Sequence, residues 1–117
     1  MDLYELKARY ERQCLNGLMY LAKGDLALAS NYLRMAMFKM RMKGVPCDSL
    51  RYTKLAKASE GFSGADVELA CEKAKLSAIR SIIGGAPEET VVTKWDLLDA
   101  IAAVSDSKNA VNIIIVE

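Results

Sequence analysis

The sequence predicts an all-α protein, on three observations. Apolar residues recur at three- and four-residue spacing along most of the chain, and glycine, proline and capping residues interrupt that pattern at helix-length intervals. Only one short run, close to the C-terminus, is rich in β-branched residues. The architecture expected from these signals is a helical hairpin packed on a small helical bundle, followed by a short extended C-terminal tail.

The first helix carries Leu3, Leu6, Tyr10, Cys14, Gly17 and Leu21 on one stripe and ends near Lys23-Gly24. Asp25 is suited to cap a second helix, whose stripe of Leu26, Ala29, Leu33, Ala36/Met37 and Met40 runs until Gly44 and Pro46 stop it. The short turn between the two makes them antiparallel neighbours. A third, short helix over about Arg51 to Ser59 presents Tyr52, Leu55 and Ala56 for burial, and Gly61 closes it. Ser63 caps the fourth helix with Asp66 three residues on, a capping box in which aspartate replaces the usual glutamate and adds negative charge at the helix N-terminus. Val67, Ala70/Cys71, Ala74, Ala78 and Ile82 line its inner face. The Ile83-Gly84-Gly85-Ala86-Pro87 segment breaks that helix, and Thr90-Val91-Val92 reads as extended. Thr93 and Asp96 form a second capping box that opens a helix over Lys94 to Val104, with Trp95, Leu98, Ile101 and Ala102 as anchors. The tail from Asn109 to Glu117, with Ile113, Ile114, Ile115 and Val116, reads as a β-prone segment that packs on the body, pairs with a second copy or adds to a partner's sheet edge.

Composition excludes several classes of function. The 117 residues are 52% hydrophobic and 26% charged, an ordinary globular balance. Three separated cysteines, Cys14, Cys47 and Cys71, without histidine support neither a metal site nor a disulfide framework. The basic residues are not interleaved with stacking aromatics, which argues against nucleic acid as a partner. With no apolar run long enough for a bilayer and no signal-like start, membrane insertion is not expected and the protein reads as cytoplasmic. Net charge is only +1, yet residues 1–43 carry +4, residues 44–83 carry +1 and residues 84–117 carry −4. That polarity suits solvated helix faces, steering of an acidic partner, or head-to-tail contact between copies.

One ordered set of segments resembles a known family. Met37-Phe38-Lys39-Met40-Arg41-Met42-Lys43-Gly44-Val45-Pro46 is followed by Leu55-Ala56-Lys57-Ala58-Ser59-Glu60-Gly61-Phe62-Ser63-Gly64-Ala65-Asp66, then Cys71-Glu72-Lys73-Ala74, then Val92-Thr93-Lys94-Trp95-Asp96-Leu97-Leu98-Asp99-Ala100-Ile101. In order and spacing this is similar to the C-terminal helical lid of AAA-family ATPases, over about residues 36 to 107. The resemblance implies that Gly64 and Ala65 lie beside the adenine of a nucleotide whose phosphates a large domain holds. The local alternative is that the two small residues let the fourth helix start close to its neighbour. These 117 residues contain no G-x-x-x-x-G-K-[ST] loop and no assignable arginine finger, so ATP or ADP is expected as a ligand only if an AAA large domain completes the site. No catalytic residue is assigned, and hydrolysis by this chain alone is not expected.

Gly17, Tyr20, Gly24-Asp25, Ala29, Leu33 and Ala36 in turn resemble one tetratricopeptide unit, or the hairpins of microtubule-interacting and transport domains. One repeat rarely stands alone, so close helix packing is an equally good account of these residues. The division expected is a hairpin over 1–36, a lid-like domain over 37–107 and a β-prone tail over 108–117. The leading functional expectation is a lid-like module that contacts an AAA large domain or other subunits and couples to nucleotide state. The alternatives are an adaptor whose hairpin binds a peptide or helix, and a structural protein that associates into homo-oligomers through its tail.

Overall fold

A computed structural model of the chain describes the backbone of residues 15–116 and the side chains of residues 15–109. Among the described residues five helices follow in sequence: α1, described over residues 15–22, α2 (Leu26–Arg41), α3 (Tyr52–Ala58), α4 (Gly64–Ile83) and α5 (Lys94–Val116). There is no strand among the described residues, and the all-α class holds.

The hairpin turns where the punctuation places it. Gly24 adopts a left-handed φ of 82°, which lets its N–H and that of Asp25 close on the carbonyls of Leu21 and Tyr20 at 3.0 and 2.9 Å. Asp25 caps α2, its Oδ1 accepting from the Leu28 N–H at 3.1 Å. Gly17 is buried where the helices meet, and a Cβ there would lie 2.9 Å from Leu33 Cγ and Cδ2 and 3.3 Å from the Ala29 carbonyl oxygen. Here the small residue is a packing requirement. The rings of Tyr20 and Tyr32 stack nearly parallel, 5.4 Å between centroids, across the same contact.

α2 continues without a break from the hairpin into the bundle, and its buried positions divide accordingly. Ala29 and Ala36 are buried, whereas Arg34, Phe38 and Met42 form an i, i+4 row of which Phe38 and Met42 belong to the core formed with α3, α4 and α5. Leu26 and Met40, expected on the inner stripe, are 67% and 42% exposed because that row lies on a different side of the helix. Leu21 is exposed as well. The remaining first-helix positions, Leu3, Leu6, Tyr10 and Cys14, lie outside the described residues.

Beyond α2, Leu55 and Ala56 of α3 and Val67, Ala70, Cys71, Ala74 and Ala78 of α4 are buried as their spacing predicts. The extended Thr90–Val92 step pairs with the loop after α2. Val92 donates to the Pro46 carbonyl at 3.0 Å and accepts from the Asp48 N–H at 2.9 Å, a single parallel bridge. It ties the entrance of α5 to the exit of α2.

Two expectations for α5 need correction. Trp95 is 64% exposed and Ala102 is exposed, whereas Leu97, Ala100, Ile101 and Val104 are buried. The Thr93–Asp96 box sets the phase of the helix, and from that start the i, i+3, i+4, i+7 set facing inward begins at Leu97. The extended tail is not formed either: the backbone is helical through Val116, including Ile113, Ile114 and Ile115. Adding residues to an existing helix costs little once it is nucleated, while a lone strand leaves its backbone groups unpaired, so β-branched composition does not decide the outcome.

Candidate functional site

The α3–α4 turn, Ser59 to Asp66, brings four of the expected site residues together. α3 ends at Ser59, whose hydroxyl donates to the carbonyls of Leu55 and Ala56 at 2.8 and 3.1 Å. Gly61 then takes φ 84°, a conformation that favours glycine, and turns the chain toward α4. Phe62 is buried beside it. Ser63 caps α4: its Oγ accepts from the Asp66 N–H at 3.2 Å while Asp66 Oδ2 accepts from the Ser63 N–H at 2.9 Å. Gly64 and Ala65 occupy the first two positions of the helix and are exposed. A Cβ at Gly64 would meet Met37 Sδ at 3.4 Å, an ordinary contact. Among the described residues packing therefore does not demand glycine at 64, in contrast to Gly17.

Side chains from two other helices brace this turn. From α2, the buried Arg34 donates through Nε to the Ala56 carbonyl at 3.0 Å and through Nη1 to Ser30 Oγ, placing a cation against the C-terminal carbonyls of α3. Burial pushes the Arg34 guanidinium below its ordinary pKa, and the nearby Glu60 carboxylate opposes that shift. From α5, Lys108 Nζ donates to Asp66 Oδ2 at 2.6 Å and to the Gly61 carbonyl at 3.4 Å, and it stands 5.5 Å from the centroid of the Phe62 ring. The Lys108 bond, followed by the backbone bond from Ser63, holds the Asp66 carboxyl below the usual carboxylate range. Arg41 of α2 adds an exposed ion pair at 3.3 Å to Glu68 in the next turn of α4.

The other expected residues stand apart. Asp25 and Thr93 cap α2 and α5, away from the turn, and the backbone of Ile113 to Val116 lies at the far end of α5. Arg34 and Lys108 were not among the residues singled out from sequence, and Met37 was expected only on the inner stripe of the second helix. Lys108 is 42 residues from Asp66, and only the antiparallel packing of α5 on α4 brings them together. Of the two described thiols, burial raises Cys47 and pushes Cys71 up to about 11, so neither is a ready nucleophile near neutral pH. A groove of about 280 Å³ between α4 and α5 carries Lys73 and Arg80 on one wall and Asp96 and Asp99 on the other. Its opposed charges do not favour an ion of either sign. Among the described residues no group of three or more metal-ligating side chains occurs, and no helix is long and apolar enough to cross a membrane.

Comparison with known proteins points to the same turn. Residues 49–90, which hold α3, the braced turn and α4, match the family described as AAA+ lid domain. A stretch of 51 residues is 41% identical to the Cell division cycle protein 48 homolog of Archaeoglobus fulgidus, covering 43% of this chain and 7% of that protein. The chain thus spans a small part of the length of this relative. Residues 49–90, with their helix order and capped glycine turn, are therefore similar to an AAA+ lid domain.

Proposed function

We propose that this chain acts as a lid module of an AAA-type ATPase, in contact with a large domain or with other subunits including copies of itself, and that it couples those contacts to nucleotide state. On this reading residues 37–107 form the lid, residues 1–36 the hairpin and the segment from 108 a C-terminal extension, in a cytoplasmic protein. The observation that carries it is the exposed first turn of α4, where Gly64 and Ala65 leave the backbone open although no packing among the described residues requires it. A planar base can approach such a turn closely, and the positive end of α4 favours anionic neighbours. The phosphate-holding part of the site belongs to the large domain. ATP or ADP is then a ligand of the assembly and not of this chain alone, and hydrolysis is not a property of the chain.

Calorimetry tests this directly. The chain alone is expected to bind ATP or ADP no tighter than about millimolar. Supplied with the large domain of the archaeal relative, it is expected to associate, and Gly64→Leu is expected to weaken nucleotide binding by the pair without lowering the melting temperature of the chain. Sub-millimolar binding by the chain alone, or an unaffected Gly64→Leu complex, would overturn the proposal.

A second reading has its own observation. Leu15, Leu18, Leu21, Leu26 and Leu28 of the hairpin are all exposed, which favours a hairpin that docks a helix or peptide on its outer side. The seam between α1 and α2 does not offer a groove at Gly17, which is filled by Leu33. Replacing Leu18 and Leu26 with serine is expected to leave nucleotide coupling intact and to abolish any such docking.

A further inference from the structure

We propose that Lys108 is a positioning residue for the first turn of α4, and that through it the C-terminal half of α5 controls the geometry presented by Gly64 and Ala65. The inference deepens the reading of that turn as the nucleotide-facing surface and rests on it for its functional meaning.

Three groups on one six-residue segment converge on a single ammonium. Lys108 Nζ touches the carboxylate of Asp66, the carbonyl of Gly61 and the ring of Phe62. These partners are the hinge glycine, the buried anchor next to it and the acid that completes the capping box, with Gly64 and Ala65 inside the loop they define. Asp66 Oδ2 accepts from both Ser63 N–H and Lys108 Nζ, so one oxygen links the local cap to a helix 42 residues away. The side chain of Asp66 is 20% exposed and that of Lys108 39%, so the pair is partly shielded from solvent. On the other side of the turn, Arg34 holds the Ala56 carbonyl. The long-range side-chain hydrogen bonds of these two cations all end on the segment from Ala56 to Asp66.

The arrangement has a mechanical consequence. Lys108 lies beyond Val104, the last core residue of α5 among the described side chains, so its position depends on the course of the helix where core packing no longer dictates it. A load on residues 109–116, such as a docked partner, shifts the Nζ and is felt at Asp66 and Gly61 before it is felt in the core. α4 is then the rigid element, and the turn is the part that responds.

Amide hydrogen exchange of the full chain, read residue by residue by NMR without nucleotide, tests the clamp. Lys108→Met is expected to raise exchange at the amides of residues 61–66 by about three- to tenfold while those of residues 70–78 stay unchanged, and Lys108→Arg is expected to restore protection. Asp66→Asn keeps an acceptor for Ser63 but removes the charge, so it should reproduce the Lys108→Met profile, with the double variant no worse than either alone. Unchanged exchange at 61–66, a uniform rise across the chain, or additive effects in the double variant would overturn the proposal. Because no nucleotide is present, failure here is separate from failure of the adenine-facing reading, which the ATP titration decides.

Discussion

α4 and α5 begin with the same device and end up doing different things. Ser63–Asp66 and Thr93–Asp96 are capping boxes with matching distances, 2.9 Å from the cap N–H to the aspartate and 3.2 Å for the reciprocal bond. The fourth helical residue, Val67 in one and Leu97 in the other, is completely buried in both. The difference lies in the first two positions. α5 carries Lys94 and Trp95, with the lysine 4.9 Å over an indole that is 64% exposed, while α4 carries Gly64 and Ala65. A capped start with this geometry therefore tolerates large side chains at its first turn, and the smallness of 64 and 65 is not a demand of helix initiation. Among the described residues, only the α4 start is also tied by a side chain to a distant helix, through Lys108. The comparison separates what builds a helix start from what shapes a surface.

The largest expected effects test the shared part. Leu97→Ala should cost about 2–5 kcal/mol in a urea denaturation, whereas Trp95→Ala should stay within about 0.5 kcal/mol. A reversed order would show that the phase of α5 is not set by its box. Next come the acids. Asp66→Ala should cost about 1–2 kcal/mol, because it removes a cap and the partner of Lys108, against about 0.5–1 kcal/mol for Asp96→Ala. Equal costs would remove the distinction between the two starts.

Acid provides a milder probe. The folded chain holds the Asp66 carboxyl below its unfolded value, so the stabilisation it contributes is complete above about pH 5 and is lost as pH falls through the depressed folded pKa. The gap in denaturation midpoint between the parent and Lys108→Met should be open at pH 7 and shrink as pH falls through the lowered folded pKa of Asp66. A gap that persists in acid would mean that Lys108 acts through packing alone. The smallest effect expected on stability is that of importing the α5 pair into α4, Gly64→Lys with Ala65→Trp. It should alter stability by less than about 1 kcal/mol while blocking contact with a large domain, and a collapse of the fold would show that the small residues serve packing after all.

Much of this was readable from the residues because the signals were local. Asp25, Ser63 and Thr93 each have their cap partner three residues away, so the helix starts follow from spacing. The inner face of α4 was legible for a similar reason, with Ala70, Cys71, Ala74 and Ala78 repeating at helical period against a single core. α2 was harder, since it serves the hairpin with one face and the bundle with another, and a single stripe cannot describe both. Trp95 misled because a large aromatic near a helix start looks like an anchor, while the phase set by the box points it outward. The C-terminal run misled because β-branched composition expresses a weak preference that an already formed helix overrides.

By itself the sequence determined where helices start and stop, that the class is all-α, and that a small-residue turn opens α4. Those features rest on bonds between residues three or four apart, whose partners are visible in the sequence. Tertiary structure alone decided that, among the described residues, Gly17 is held by packing while Gly64 is free of it, that Arg34 and Lys108 brace the turn from opposite sides, and that α5 continues through Val116. Whether a small residue is spent on a neighbour, and which cation reaches which carboxylate, depends on how helices far apart in the chain come to lie together in space.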